Sequence, residues 1–152
     1  MPRHTQPIHR GTDPHGVVHH YCLLPLVEIF LHGQPLEIIV NNIRVAEFTA
    51  LLDTGASNTF IGQGMADHAR LQRLREENAT MGHGSAPISV YETVNFRLPH
   101  GLGEFPIQPR TSGARYVDLG VGYQMIIGMD ILNQGIFCID GFADEYALTF
   151  PD

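Results

Sequence analysis

Residues 51 to 62 read LLDTGASNTFIG, and they place one carboxylate, Asp53, at the end of the apolar run AEFTALLD with Thr54 and Gly55 directly behind it. An acid in that position costs stability unless hydrogen bonds or a change of protonation state compensate it. Held in such a frame, it is a candidate to take or give a proton, the work of a general acid or base. The plain alternative is a turn, in which the aspartate caps, the glycine takes a positive φ and nothing reacts. A turn aspartate is normally solvated, whereas AEFTALLD reads as a buried strand running straight into the acid, and that context favours chemistry. Other hydrolytic chemistries lack their residues: the chain contains neither the HExxH of a zinc protease nor the GxSxG of a serine hydrolase. Cys22 and Cys138 stand outside any recognisable nucleophile context, far apart and without a CxxC pattern, and read as reduced, buried thiols.

The elements that must position Asp53 read as strands. From about Tyr21 the hydrophobic period is two: Val27, Ile29 and Leu31 alternate with Glu28, Phe30 and His32, and HGQP then turns the chain into LEIIVNN. RVAEFTALLD follows. In ISVYETVNFRL, Ile88, Val90, Val94, Phe96 and Leu98 share one face and Glu92 alone breaks the pattern. Short strands between Gly, Pro and Asn turns predict an all-β sandwich or barrel. GQGMADHARLQRLREEN, residues 62–78, predicts a helix with Met65, Ala69 and Leu71 facing inward, and GMDILNQG a second short one from Met129. Two helices of this size decorate a β domain without making it α/β.

The chain has 152 residues, 43% of them hydrophobic, enough for one domain, placed at 21–152. Residues 1–20 are rich in Pro, Gly, Arg and His without hydrophobic period and predict a flexible N-terminal tail. His4, His9, His15, His19 and His20 lie within it; His15 and His19 have the i, i+4 spacing of a helical metal pair, but Pro14 and Gly16 oppose a helix, and no metal is expected. A net charge of −7, with nine arginines and no lysine, argues against nucleic acid or anionic lipid as partner. CLLPLVEIFLH is broken by Pro25 and Glu28 and falls short of the roughly 20 apolar residues of a membrane span. The N-terminal residues lack the apolar core of a secretory signal, so a cytoplasmic protein is expected. The Asn78 sequon would matter only in an exported chain.

TALLDTGASNTFI resembles the active-site segment of retropepsin-like aspartic proteases, in which a hydrophobic strand leads into Asp-Thr-Gly-Ala and a threonine follows, as Thr59 does here. MIIGMDILNQG, residues 125–135, is similar to that family's hydrophobic-hydrophobic-Gly signature with its short helix. MGHGSAPISV, residues 81–90, stands where the family carries a glycine-rich flap hairpin. IFCIDGFADEYALTFPD resembles the closing strands of bacterial single-domain members. The resemblance runs over roughly residues 22 to 152, in order. It implies an all-β half-barrel with one or two short helices, acting as a two-fold dimer, and an aspartic endopeptidase that needs no cofactor.

Hydrolysing an amide with water needs one group to take the water's proton and another to polarise the carbonyl. Two carboxylates within hydrogen-bonding distance fill both roles, because like charges so close cannot both ionise. This shared proton is a known feature of aspartic proteases as a class. With one Asp-Thr-Gly per chain, the second Asp53 must come from another copy, across a two-fold axis. The resemblance gives Thr54 a hydrogen bond across that axis and Gly55 a backbone N–H close to the carboxylate. Ala56 stands where two-lobed, acid-working relatives usually carry Ser or Thr, and the missing hydroxyl predicts a less acidic pH optimum than theirs.

Gly82, His83 and Gly84 are expected to form the flap that closes over an extended polypeptide substrate. Gly128 is expected to let the loop behind the active-site strand pack tightly, with Thr59 and Ile127 supporting it; Ile126 and Ile127 read as core rather than pocket. The chain departs from retroviral members at Met129 and Ser57, which replace an arginine and an acid that tie their dimers together. A catalytically silent dimer of the same fold, holding peptide segments by strand addition, is the competing reading.

Overall fold

The computed structural model describes residues 2–81, 84–112 and 122–151, and strands dominate them. The central strands are those whose apolar residues alternate most strictly. β8 (Glu47–Leu52) buries Phe48, Ala50 and Leu52. β4 (Leu23–Leu31) lies antiparallel to it, and its alternation skips a residue between Leu24 and Val27. There the register shifts and Leu26 takes a φ of 70°, as at a bulge.

On the other side of β8 lies β15 (Met125–Ile127), parallel to it and wholly buried, as a continuous apolar run predicts for a strand covered on both faces. The sheet continues through β9 (Phe60–Ile61), β14 (Arg110–Thr111), β11 (Gly84–Tyr91) and β10 (Arg73–Met81). From β4 it continues the other way through β12 (Val94–Leu98) and β13 (Gly103–Ile107), with β5 (Gln34–Pro35) added to β4. The result is the curled half-barrel of an all-β fold, closed over Phe48, Phe96, Met65, Met125, Ile131 and Tyr146. β6 (Ile38–Val40) and β7 (Ile43–Val45) form a separate hairpin whose two-residue turn, Asn41-Asn42, takes positive φ at both positions.

The N-terminal residues depart from the expected flexible tail. β1 (Arg3–Pro7) pairs along its whole length with β17 (Glu145–Thr149), whose other edge carries β16 (Ile136–Asp140). β2 (His9–Thr12) and β3 (Val18–Tyr21) form a hairpin whose turn is capped by Asp13 Oδ1, which accepts from the N–H of His15 and of Val17 at 2.9 Å each. The backbone ladder and polar side chains hold this segment, and neither leaves a hydrophobic period. His4 stacks on His100 at 4.3 Å and meets the edge of Tyr146, while Arg10 pairs with Asp144 at 2.9 Å. His19 pairs with Asp13 at 2.8 Å, and among the described residues no three His, Cys, Asp or Glu side chains converge as metal ligands.

The long helix expected over 62–78 is also corrected. α1 covers only Gln63–His68, and Arg73–Met81 is a strand. The helix ends in a Schellman arrangement: the N–H of Leu71 donates to Ala66 O, that of Arg70 to Asp67 O (both 3.1 Å), and Arg70 sits at φ 53°. Glycine usually fills that left-handed position, so the arginine conceals the stop. Leu71 then buries itself against the core. The helix-forming residues beyond it are drawn into the hairpin with β11, in register from Arg75–Val90 to Met81–Gly84. Arg70→Gly should raise stability by up to about 1 kcal/mol, visible as a small rise in Tm; a fall would assign the arginine side chain a role in holding the helix end.

ISVYETVNFRL divides into β11 and β12, because Glu92 leaves the ladder and its N–H donates to Gln72 O at 2.9 Å. α2 (Met129–Leu132) lies where the sequence places it. Both cysteines are unpaired thiols, but Cys138 is exposed: among the described residues β16 ends its sheet, and 138 faces outward with Ile136. Half-buried Cys22 has its pKa pushed up by burial. No helix among the described residues is long and apolar enough to cross a membrane.

Candidate active site

β8 delivers Asp53. Strand pairing carries one residue beyond Leu52, since the N–H of Asp53 donates to Ile127 O at 3.0 Å. The chain then turns, with the Ala56 N–H donating to Asp53 O at 3.2 Å and the Gly55 N–H to Asp53 Oδ1 at 2.8 Å. A Cβ on Gly55 would stand 3.1 Å from that carboxylate oxygen, so glycine keeps the approach open. The half-buried Asp53 thus has one oxygen fixed by a backbone donor, while Thr54 and Gly55 are exposed at the turn's outer side.

A second layer holds this turn. Thr59 is 0% exposed, and its N–H and Oγ1 donate to the two carboxylate oxygens of Asp130, at 2.8 and 2.7 Å. The same Oγ1 accepts from the Gly128 N–H at 3.2 Å. The Met129 N–H donates to Ala56 O at 2.8 Å, so the start of α2 grips the turn on both sides of Gly128. Ile127, 0% exposed, packs beneath. Of this clamp, sequence reading identified Thr59, Ile127 and Gly128 and missed Asp130. An acid in the first turn of a helix is the ordinary complement of the helix dipole, which masked its second task.

Above Asp53 opens a cleft of about 270 Å³, lined by Asp53, Ala56, Phe60, Ala79, Ile88 and Ile126 among others. Ile126, expected only in the core, therefore also faces the cleft, as its in-register neighbour Phe60 does. Ala79 and Ile88 come from the two strands of the β10–β11 hairpin, which thus lines the same cleft as Asp53. Of the residues expected to form a flap, Gly82 and His83 lie outside the described residues; Gly84, at φ +115°, opens β11 with open space around it.

A family model described as aspartyl protease matches residues 36–131, a span that contains Asp53, the hairpin and the start of α2. The chain belongs to this family of aspartyl proteases. Among solved structures, it is similar to a retropepsin-like aspartic protease from Rickettsia conorii, at 21% identity and TM-score 0.45, over 97% of this chain and 93% of that one. It is also similar to the EIAV protease complexed with the inhibitor HBY-793, at 17% identity and TM-score 0.41, over 72% of this chain and 86% of that one. Comparison with curated protein sequences returns no match.

Proposed function

We propose that two copies of this chain form an aspartic endopeptidase in which paired Asp53 carboxylates activate a water against the peptide bond of an extended polypeptide. The observation that carries this reading is Asp53 itself: one oxygen fixed by the Gly55 N–H, in a cleft that both strands of the β10–β11 hairpin also line. One carboxylate of the pair takes the water's proton while its protonated mate donates to the scissile carbonyl. No metal or cofactor enters. In this reading Thr54, exposed on the turn, bonds to the partner copy, and the edge that β16 presents among the described residues, with Ile136 and Ile139 exposed on it, is surface that pairing would cover. The β10–β11 hairpin acts as the flap, closing on substrate and excluding water.

The test is to incubate wild-type protein and Asp53→Asn with a pool of unstructured peptides from mildly acidic to neutral pH and to read new termini by mass spectrometry. Asparagine keeps the side chain's size and removes the shared proton, so cleavage should fall by at least roughly a thousandfold. No cleavage by folded, dimeric wild-type protein would overturn the reading in favour of a peptide-binding dimer.

A further inference from the structure

Arg110 is a largely buried cation that the hydrolytic machinery does not use. It belongs to β14, wedged between β9 and β11, and its N–H donates to Thr59 O at 3.0 Å. Strand register places its side chain. Residues directly opposite each other share a face of a sheet, and Arg110 stands opposite Val90 on one side and Phe60 on the other. Phe60 stands opposite Ile126; Val90 shares its face with Ile88, which stands opposite Glu77, and Glu77 shares its face with Ala79. Phe60, Ile126, Ile88 and Ala79 all line the cleft above Asp53. Arg110 and Glu77 therefore lie on the cleft-facing side of the sheet, beside Phe60.

The guanidinium is poorly matched where it lies. Its side chain is only 13% exposed, Nη1 donates to Gln108 O at 2.6 Å, and Nε is buried without a partner. Among the described residues the acid it pairs with is Glu77, 3.9 Å from Nη2, and that carboxylate is already engaged by Arg75 Nε at 2.8 Å. A largely buried guanidinium with an unspent donor and half a counter-ion is unfavourable. Its planar fork suits a carboxylate bound through two parallel bonds.

We propose that Arg110 determines specificity by selecting an acidic side chain of the substrate, the one that points to the cleft floor beside Phe60. This rests on the peptidase reading above. An extended substrate projects alternate side chains toward the floor, so one fixed position relative to the cut meets the guanidinium. In the free protein Glu77 on the hairpin stands in for that carboxylate at a distance, and the substrate acid takes up the donors that Glu77 leaves unmet.

The experiment compares cleavage of a peptide library, and of matched peptides carrying Glu or Gln at the selected position, by wild type, Arg110→Met and Glu77→Gln. Wild type should prefer Glu over Gln by roughly tenfold or more in kcat/KM, the worth of one charge-assisted hydrogen bond. The ratio should collapse toward one in Arg110→Met and rise in Glu77→Gln, where the competing carboxylate is gone. Should Arg110→Met fail to fold, Arg110→Lys keeps a charge without the fork and should lower the ratio. Cleavage by wild type without an acidic preference at any position overturns this assignment and leaves the peptidase standing, as does a preference that persists undiminished in Arg110→Met. Absence of all cleavage overturns both.

Discussion

Mixed with a growing share of Asp53→Asn, the wild-type protein should lose peptidase activity as the square of its own fraction. The proposed chemistry needs one carboxylate to accept a proton and its mate to hold one, and a single aspartate cannot do both at once. Asparagine occupies nearly the same volume and leaves the Gly55 N–H, 2.8 Å from Oδ1, with an oxygen to bond in one of its two orientations. The variant should therefore pair with wild type as readily as wild type pairs with itself. At an equal mixture and constant total protein, only copies that find a wild-type mate contribute, and the rate should fall to roughly a quarter of the pure wild-type rate. Independent active sites would leave about half, so the two models separate by a factor that initial rates resolve. The mixture must be formed by joint refolding, or left long enough for exchange, and assayed well above the concentration at which dimers dissociate. A linear decline would show that each copy works alone and would remove the paired-carboxylate mechanism.

The parts of this molecule that were legible beforehand are those where one local rule governs. Phe48, Ala50 and Leu52 alternate because β8 is buried on one face, and the acid that follows them stands out because it breaks an apolar run. Asp-Thr-Gly could be read as a tight turn because the glycine's missing Cβ leaves room beside the carboxylate. The parts that were not legible depend on partners distant in sequence. Arg73–Met81 carries helix formers, and only its ladder with β11 makes it a strand. Arg3–Pro7 has no hydrophobic period, because what it offers is its backbone, and β17 accepts it 146 residues later at Arg3–Thr149 and 138 residues later at Pro7–Glu145. Asp130 and Arg110 were passed over for the same reason: each is ordinary in its own stretch and becomes informative only beside Thr59 or Phe60.

Gly128→Ala should be the most damaging single methyl group that the fold can receive near the site. The backbone there, at φ −98° and ψ −170°, is one that alanine adopts freely, so any effect is steric rather than conformational. The added Cβ would lie 2.4 Å from Asn58 O, 2.6 Å from Asn58 C and 2.7 Å from Ala56 O. All three are backbone atoms, and no rotamer change moves them aside. Either the Asp53 turn or the start of α2 must shift, and both ends of that contact are tied: Met129 N–H to Ala56 O, Gly128 N–H to Thr59 Oγ1. Overpacking of this kind should cost about 3 kcal/mol, seen as a fall in Tm of roughly 10 °C for a chain of this size. Activity should suffer beyond stability, because displacing the turn by about 1 Å misplaces Asp53 and can lower kcat/KM roughly a hundredfold even well below the Tm. Gly122→Ala is the matched control: among the described residues a Cβ there has nothing within 4 Å, and neither Tm nor rate should move. If Gly128→Ala unfolds at the wild-type temperature, the loop has room to yield, and the tight seat of α2 against the Asp53 turn is not what holds the carboxylate in place.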